Sequence, residues 1–149
     1  MHEAYMRLAY QEAVAAFDED EVPVGAVIVR AGEIIARSWN QVETLKDATA
    51  HAEMLALTQA ESVLEDWRLT DCDLYVTKEP CPMCAGAAML ARIDRVVLGA
   101  WDPKLGACGS VWDVVRDRRA THRAEVVGGV LEQECGEVVR RFFATHRTD

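Results

Sequence analysis

The chain predicts an α/β domain in three layers, a mixed five-stranded sheet with helices on both faces. Three observations predict it. Leu74–Thr77, a helix beginning near Pro82, and Arg95–Ala100 form a strand–helix–strand unit whose strands run parallel through a right-handed crossover. Ahead of it, apolar runs on either side of Ala31-Gly32 read as a hairpin. Amphipathic helices open and close the chain.

In chain order, Tyr5, Leu8, Ala9, Ala13, Ala16 and Phe17 recur at helical spacing, and the acidic run Asp18–Glu21 ends that helix. Val24–Val29 is a continuous apolar run suited to a strand covered on both faces, and Glu33–Ser38 is its hairpin partner. Trp39-Asn40 follows at the strand end, where Asn40 brings an amide donor and acceptor either to a pocket rim or to a plain turn. Thr49 is the expected N-cap of a helix over 50–64, which places His51 and Glu53 in its first turns. Pro80-Cys81-Pro82 starts a further helix with Cys81 and Cys84 on one face. The small residues Ala85, Gly86, Ala87, Ala88 and Ala91 let that helix lie close against the sheet or against another subunit. Asp102-Pro103-Lys104, with Gly106 and Gly109, forms a loop beyond a strand's carboxyl end, where open sheets bind ligands. Val126–Val127 is a last short strand, and Leu131, Cys135, Val138, Val139, Phe142 and Phe143 mark the closing helix.

A chain of 149 residues fits one compact domain, 1–149, that needs no disulfide staple. No run approaches the ~20 apolar residues of a membrane span, and the charged, amphipathic start is unlike a secretory signal. Five cysteines without a pairing pattern suit a reducing compartment, so a cytoplasmic location is expected. The net charge of −9 is unevenly spread: residues 1–75 carry 5 Lys/Arg against 15 Asp/Glu, and residues 76–149 carry 11 against 10. A phosphate-binding surface is therefore expected from the second half, where Arg116, Arg118, Arg119 and Arg123 cluster, unless these only line a solvated loop.

Chemistry concentrates in Thr49-Ala50-His51-Ala52-Glu53 and Pro80-Cys81-Pro82-Met83-Cys84. One histidine and two cysteines make three ligands for a zinc ion, which leaves a coordination position for water. Glu53, two residues from His51, points away from a shared ligand set and is the expected general base and acid. The positive end of the Cys81–Cys84 helix favours thiolates, the form that binds metal. H-x-E followed by P-C-x-x-C is the pattern of zinc-dependent cytidine and adenosine deaminases. A thioredoxin-like redox pair would account for Cys81 and Cys84 but not for His51 and Glu53, and a closed structural site would need Cys72, Cys108 or Cys135 as fourth ligand. His2, His122 and His146 stand alone and read as ordinary surface or core residues.

Further segments extend the match: Val22-Pro23-Val24-Gly25-Ala26-Val27, Trp39-Asn40, Glu79 through Ala87, Arg95-Val96-Val97-Leu98-Gly99-Ala100 and His122-Arg123. With the two motif segments they run in order over nearly the whole chain, which thus resembles the bacterial tRNA-specific adenosine deaminases. The resemblance implies the cytidine-deaminase-like fold, a homodimer, one zinc per subunit, and conversion of the wobble adenosine of a tRNA anticodon stem-loop to inosine. It further implies that His51, Cys81 and Cys84 hold the zinc, that Glu53 moves protons, that Asn40 and the Ala52 backbone contact the base, and that Asp102 and Lys104 lie near flanking nucleotides. Ala48 and Trp101 depart from the family pattern, Trp101 standing where a polar or charged residue is usual. A guanine or cytosine deaminase would share every zinc and carboxylate residue. A non-enzymatic RNA-binding subunit stabilised by zinc would leave Glu53 without a task.

Overall fold

The computed structural model describes residues 1–146. The elements are α1 (His2–Asp18), β1 (Gly25–Arg30), β2 (Glu33–Trp39), α2 (Val42–Leu45), α3 (Ala52–Leu64), β3 (Cys72–Lys78), α4 (Pro82–Leu90), β4 (Arg95–Ala100), β5 (Glu125–Val127) and α5 (Glu132–Thr145). The five strands make one sheet in the order β2-β1-β3-β4-β5. β1 pairs antiparallel with β2 and β3, while β3–β4 and β4–β5 are parallel. The mixed three-layer sheet expected from the sequence is therefore present. Ala31 and Gly32 both take positive φ, 51° and 79°, the conformation that closes a two-residue hairpin with the twist of its strands.

Strand alternation divides the core into two layers. Ala26, Ile28, Leu74, Val76, Val96 and Leu98 face α3 and α4, which answer with Ala52, Ala56, Ala60, Ala85 and Ala88. Val27, Val29, Tyr75 and Val97 face the other way, onto Met6 and Ala9 of α1 and Cys135 of α5. The alanines let α3 and α4 lie close to the sheet, as the small-residue stripe of α4 predicts. Gly25 serves the same purpose on the opposite side, since a Cβ there would stand 2.0 Å from the Ala9 carbonyl oxygen.

The topology gathers one end of the sheet. Gly25, which begins β1, pairs with Trp39, which ends β2; Ala26 pairs with Val76 near the end of β3; and Lys78 pairs with Ala100, the end of β4. The segments 22–25, 39–41, 78–81 and 100–102 thus leave the sheet together.

Two local expectations are corrected. Thr49 is not the N-cap of α3: its hydroxyl and N–H both bond the Asp47 carboxylate, and His51, in extended conformation, caps the helix instead. The turn over 47–50 takes up the threonine, and the helix starts two residues later than expected. The short helix α2 was not expected, because four residues are too few for a periodic signal.

At the far ends of α1 and α5, His146 Nε2 meets Asp20 Oδ1 at 3.0 Å, and the imidazole lies flat on Phe142 with centroids 4.0 Å apart. The Asp20 hydrogen bond raises the His146 pKa above its ordinary value of 6.5. Because the folded value is the higher one, this contact's stabilisation is complete below about pH 6.5 and is lost as pH rises through the folded pKa. Urea midpoints measured from about pH 5 to pH 8 should show that decline in the wild type and not in His146→Gln; parallel curves would remove the contact from the stability of the fold.

Candidate active site

Two helix starts converge where the strands end. His51 is the N-cap of α3 and Cys81 the N-cap of α4, with Pro82 as the first helical residue and Cys84 one turn in. Ser38 Oγ donates to the Ala52 carbonyl at 2.6 Å, which ties the first turn of α3 to β2. His51 Nδ1 lies 3.6 Å from Cys81 Sγ and 3.5 Å from Cys84 Sγ. A zinc ion at ~2.3 Å from sulfur and ~2.0–2.1 Å from nitrogen, with tetrahedral angles, requires N···S separations of about 3.6 Å. The donor atoms all fall within 4.8 Å of one another, so both the chemistry and the spacing of the set fit zinc.

The electrostatics suit the same ion. The Cys84 thiol, with His51 adding to it, pulls Cys81 down to about 4, while Cys84, the donor of that bond, is held up. The Cys81 side chain raises His51 in turn. A divalent cation displaces the proton that the two sulfurs share and makes both thiolates. Cys72, Cys108 and Cys135 are buried and belong to no metal-binding group among the described residues, which removes the closed four-ligand site. Burial pushes the Cys72 thiol up to about 11 and Cys135 to about 12, as expected of cysteines that serve as small apolar side chains.

Glu53 is 4% exposed and is not a member of the ligand set. Burial raises its pKa, opposed by its own backbone N–H and by His51. A carboxyl with elevated proton affinity beside an open metal site can both accept and return a proton. It lines a cavity of about 280 Å³ together with His51, Cys81, Asn40 and Asp102, with Val22, Val24, Leu105 and Phe143 as apolar wall.

The other expected residues divide. Asn40 is 7% exposed and lines the cavity, with its Nδ2 donating to the Val22 carbonyl and its Oδ1 accepting from the Val42 N–H, so it is rim and turn residue at once. Ala52 is fully buried in the core and is not among the residues that line the cavity. Asp102 does line it: burial opposes its charge, but the Lys104 N–H, the Lys78 ammonium and the Leu105 N–H outweigh burial and hold its carboxyl below the ordinary value. Lys104 lines not this cavity but a neighbouring one. The arginine cluster is dispersed: Arg116 pairs with Asp113, Arg119 with Asp117, and Arg123 lies with Asp71, Asp94 and Glu125 at the opposite end of the sheet.

Sequence reasoning missed the residues that hold the walls. Glu79, 3% exposed, accepts the Asp102 N–H at 2.9 Å, the Cys108 and Ser110 N–H groups at 3.0 Å each, and the Ser110 hydroxyl. It fixes the whole 102–110 loop. Glu21, 1% exposed, does the same for α2 by accepting the Glu43 and Thr44 N–H groups and the Thr44 hydroxyl. Only the position of Glu79 between a strand end and the Pro80-Cys81 motif could have singled it out.

Fold and donor set together define a zinc-dependent deaminase. The chain belongs to the cytidine and deoxycytidylate deaminase zinc-binding family, whose model matches residues 1–100. Within that family it is 52% identical over 141 residues to the tRNA-specific adenosine deaminase of Bacillus subtilis, covering 95% of this chain and 88% of that protein. A solved structure from studies of A-to-I editing by tRNA:A34 deaminases superposes with a TM-score of 0.87 at 45% identity, covering 91% of this chain and 98% of that one. A guanine deaminase from Nitrosomonas europaea superposes with a TM-score of 0.82 at 25% identity, covering 95% of this chain and 84% of that one.

Replacing Glu79 by Ala should leave the buried Cys108 N–H and the half-buried Asp102 and Ser110 N–H groups without their acceptor. The expected loss is at least about 2 kcal/mol, or roughly 4–8 °C in Tm for a chain of this size. Amide exchange should quicken at Asp102, Cys108 and Ser110 while zinc content stays at one per chain; unchanged exchange there would show that the loop is held by something else.

Proposed function

We propose that this chain deaminates adenosine at the wobble position of a tRNA anticodon, giving inosine and ammonia. The observation that carries it is Glu53, buried and unligated beside a three-ligand zinc set on a cavity that takes a single extruded base. The identity to tRNA-specific adenosine deaminases over nearly the whole chain supports the substrate class. Zinc held by His51, Cys81 and Cys84 would supply an acidified water as nucleophile at neutral pH. Glu53 would take one proton from the attacking water and pass it to adenine N1, then take the second from the hydroxyl formed on C6 and pass it to the departing amine as the C6–N bond breaks. Water and adenosine thereby become inosine and ammonia. Asn40 and the Ala52 backbone hold the base edge, the apolar wall of Val22, Val24, Leu105 and Phe143 excludes solvent, and Asp102 borders the neighbouring nucleotide. An anticodon loop presents its bases partly free, so the cost of extrusion is lower than in a duplex.

The working unit is a homodimer in the cytoplasm. A second copy packs on the outer face of α4, where Leu90 is 64% exposed and the space outside Gly86 is open. No described helix is long and apolar enough to cross a membrane.

Glu53→Ala should retain one zinc per chain and lose deamination by at least about a hundredfold, the scale of general acid–base catalysis. Substantial activity in that variant would discard the proton-transfer role. In an ammonia assay of the wild type, an adenosine-containing anticodon stem-loop should react while guanine and cytosine do not. The reverse pattern would move the chain to the free-base deaminases.

A further inference from the structure

Beside the reaction cavity, at the carboxyl end of β4, lies a second hollow of about 400 Å³. The two share Lys78 and Asp102, which are ion-paired at 3.3 Å, so the hollows adjoin across that pair. Trp101 and Lys104 line the second hollow from the loop after β4, and Gly136 and Arg140 line it from α5. Trp101 is 40% exposed, yet its seat is fixed: a Cβ at Gly128 would stand 2.0 Å from its Cζ2. That glycine admits the indole against the backbone and sets the ring before any ligand arrives, which lowers the ordering cost of binding. Lys78 is held by Asp102 and Arg140 by Glu137, whereas Lys104, and Glu132, which also lines the hollow, form no ion pair among the described residues.

A held aromatic ring with an unneutralised ammonium nearby is the pairing by which proteins take single-stranded nucleic acid, stacking a base and facing its phosphate. We propose that Trp101 is a stacking platform for the nucleotide adjoining the target adenosine, with Lys104 facing that nucleotide's phosphate. The hollow's adjacency to the reaction cavity selects this occupant, because the neighbour of an extruded base lies within one nucleotide of it. The inference rests on the tRNA reading given under Proposed function. It assigns binding to a hollow outside the zinc cavity and to a residue without a part in the chemistry.

The test is a cycle between Trp101→Ala and anticodon stem-loops carrying an abasic nucleotide on the 5′ or the 3′ side of the target. Trp101→Ala should raise KM for the intact stem-loop about tenfold, within the range of a lost base–aromatic stack. Its kcat, zinc content and Tm should stay near wild type, and Trp101→Phe should keep most of the affinity. With the abasic nucleotide on one side, the wild type should lose a comparable factor and Trp101→Ala little more, because the two changes remove one contact. Unchanged KM in Trp101→Ala, or losses that multiply for both flanks, would overturn the platform. If Trp101→Ala loses stability, Trp101→Leu fills the seat without a π face and permits the same comparison. Failure of the wild type to deaminate any stem-loop would overturn the tRNA reading and this inference with it; deamination indifferent to both flanks would overturn this inference alone.

Discussion

The structure depends on two helix N-termini brought to one point at the end of the sheet. His51 caps α3 and Cys81 caps α4, so each contributes a ligand from the residue where the chain changes from extended to helical. Extended backbone at a cap aims the side chain across the helix end. There the free N–H groups and the helix dipole favour anionic sulfur. Pro82 costs nothing at the first helical position, where its missing N–H has no partner to lose. The parallel pairing of β3 with β4 forces a crossover helix between them, and that helix begins on the side where Lys78 and Ala100 leave the sheet. Ligand geometry is thus a consequence of strand order, with Ser38 and the Ala52 carbonyl fixing the remaining freedom of α3.

Around that point the walls are held by buried carboxylates. Glu21 gathers the donors of α2 and Glu79 those of the loop after β4, each with its oxygens spent on N–H and O–H groups. Hydrogen bonds to an ionised acceptor are the stronger kind, and several converging on one carboxylate offset the cost of burying it. A metal set of three residues could not by itself position segments 40–46 and 102–110. The two glutamates do so from within the wall, which they line together with Asn40 and Asp102. Part of the acidic excess of the first half is therefore internal, carried by Glu21 and Glu53, and is not on the outer surface.

Much of this was legible in the sequence because it is written in local patterns. The hairpin turn at Ala31-Gly32, the crossover from β3 to β4 and both amphipathic helices rest on periodicity and turn chemistry. The metal residues are legible because ligand spacing is a local matter on each side, even though His51 and Cys81 are thirty residues apart. Glu21 and Glu79 were not legible as clamps, since their donors lie 22–23 and 23–31 residues away and leave no periodic trace. Thr49 misled because it is a good cap by type, while the turn to Asp47 claimed its hydroxyl. The arginine cluster, which the sequence left open between a phosphate surface and a solvated loop, divides for a related reason: residues of an irregular loop need not share a face, so Arg116 and Arg123 separate.

That dispersal bears on how a chain of net charge −9 can take RNA at all. Affinity built on phosphate neutralisation needs several unpaired cations on one surface, because each contact contributes through the counterions it releases. Here Arg116, Arg119 and Arg140 are engaged by Asp113, Asp117 and Glu137, which leaves fewer of the second half's cations unpaired. What lies by the cavity mouth is an apolar wall, Leu105 and Phe143, with Trp101 close behind and few cations. Such a surface suits a loop whose bases are splayed and stacked on side chains, and it suits a duplex poorly, since paired bases present only backbone and groove edges. The same economy of charge limits non-specific adhesion to other RNAs, which share the phosphates but not a base free to leave its stack. On the proposed reading, selectivity would come from the cavity and its aromatic margin, and the chain's net charge of −9 would reinforce it by disfavouring chains that bring only charge.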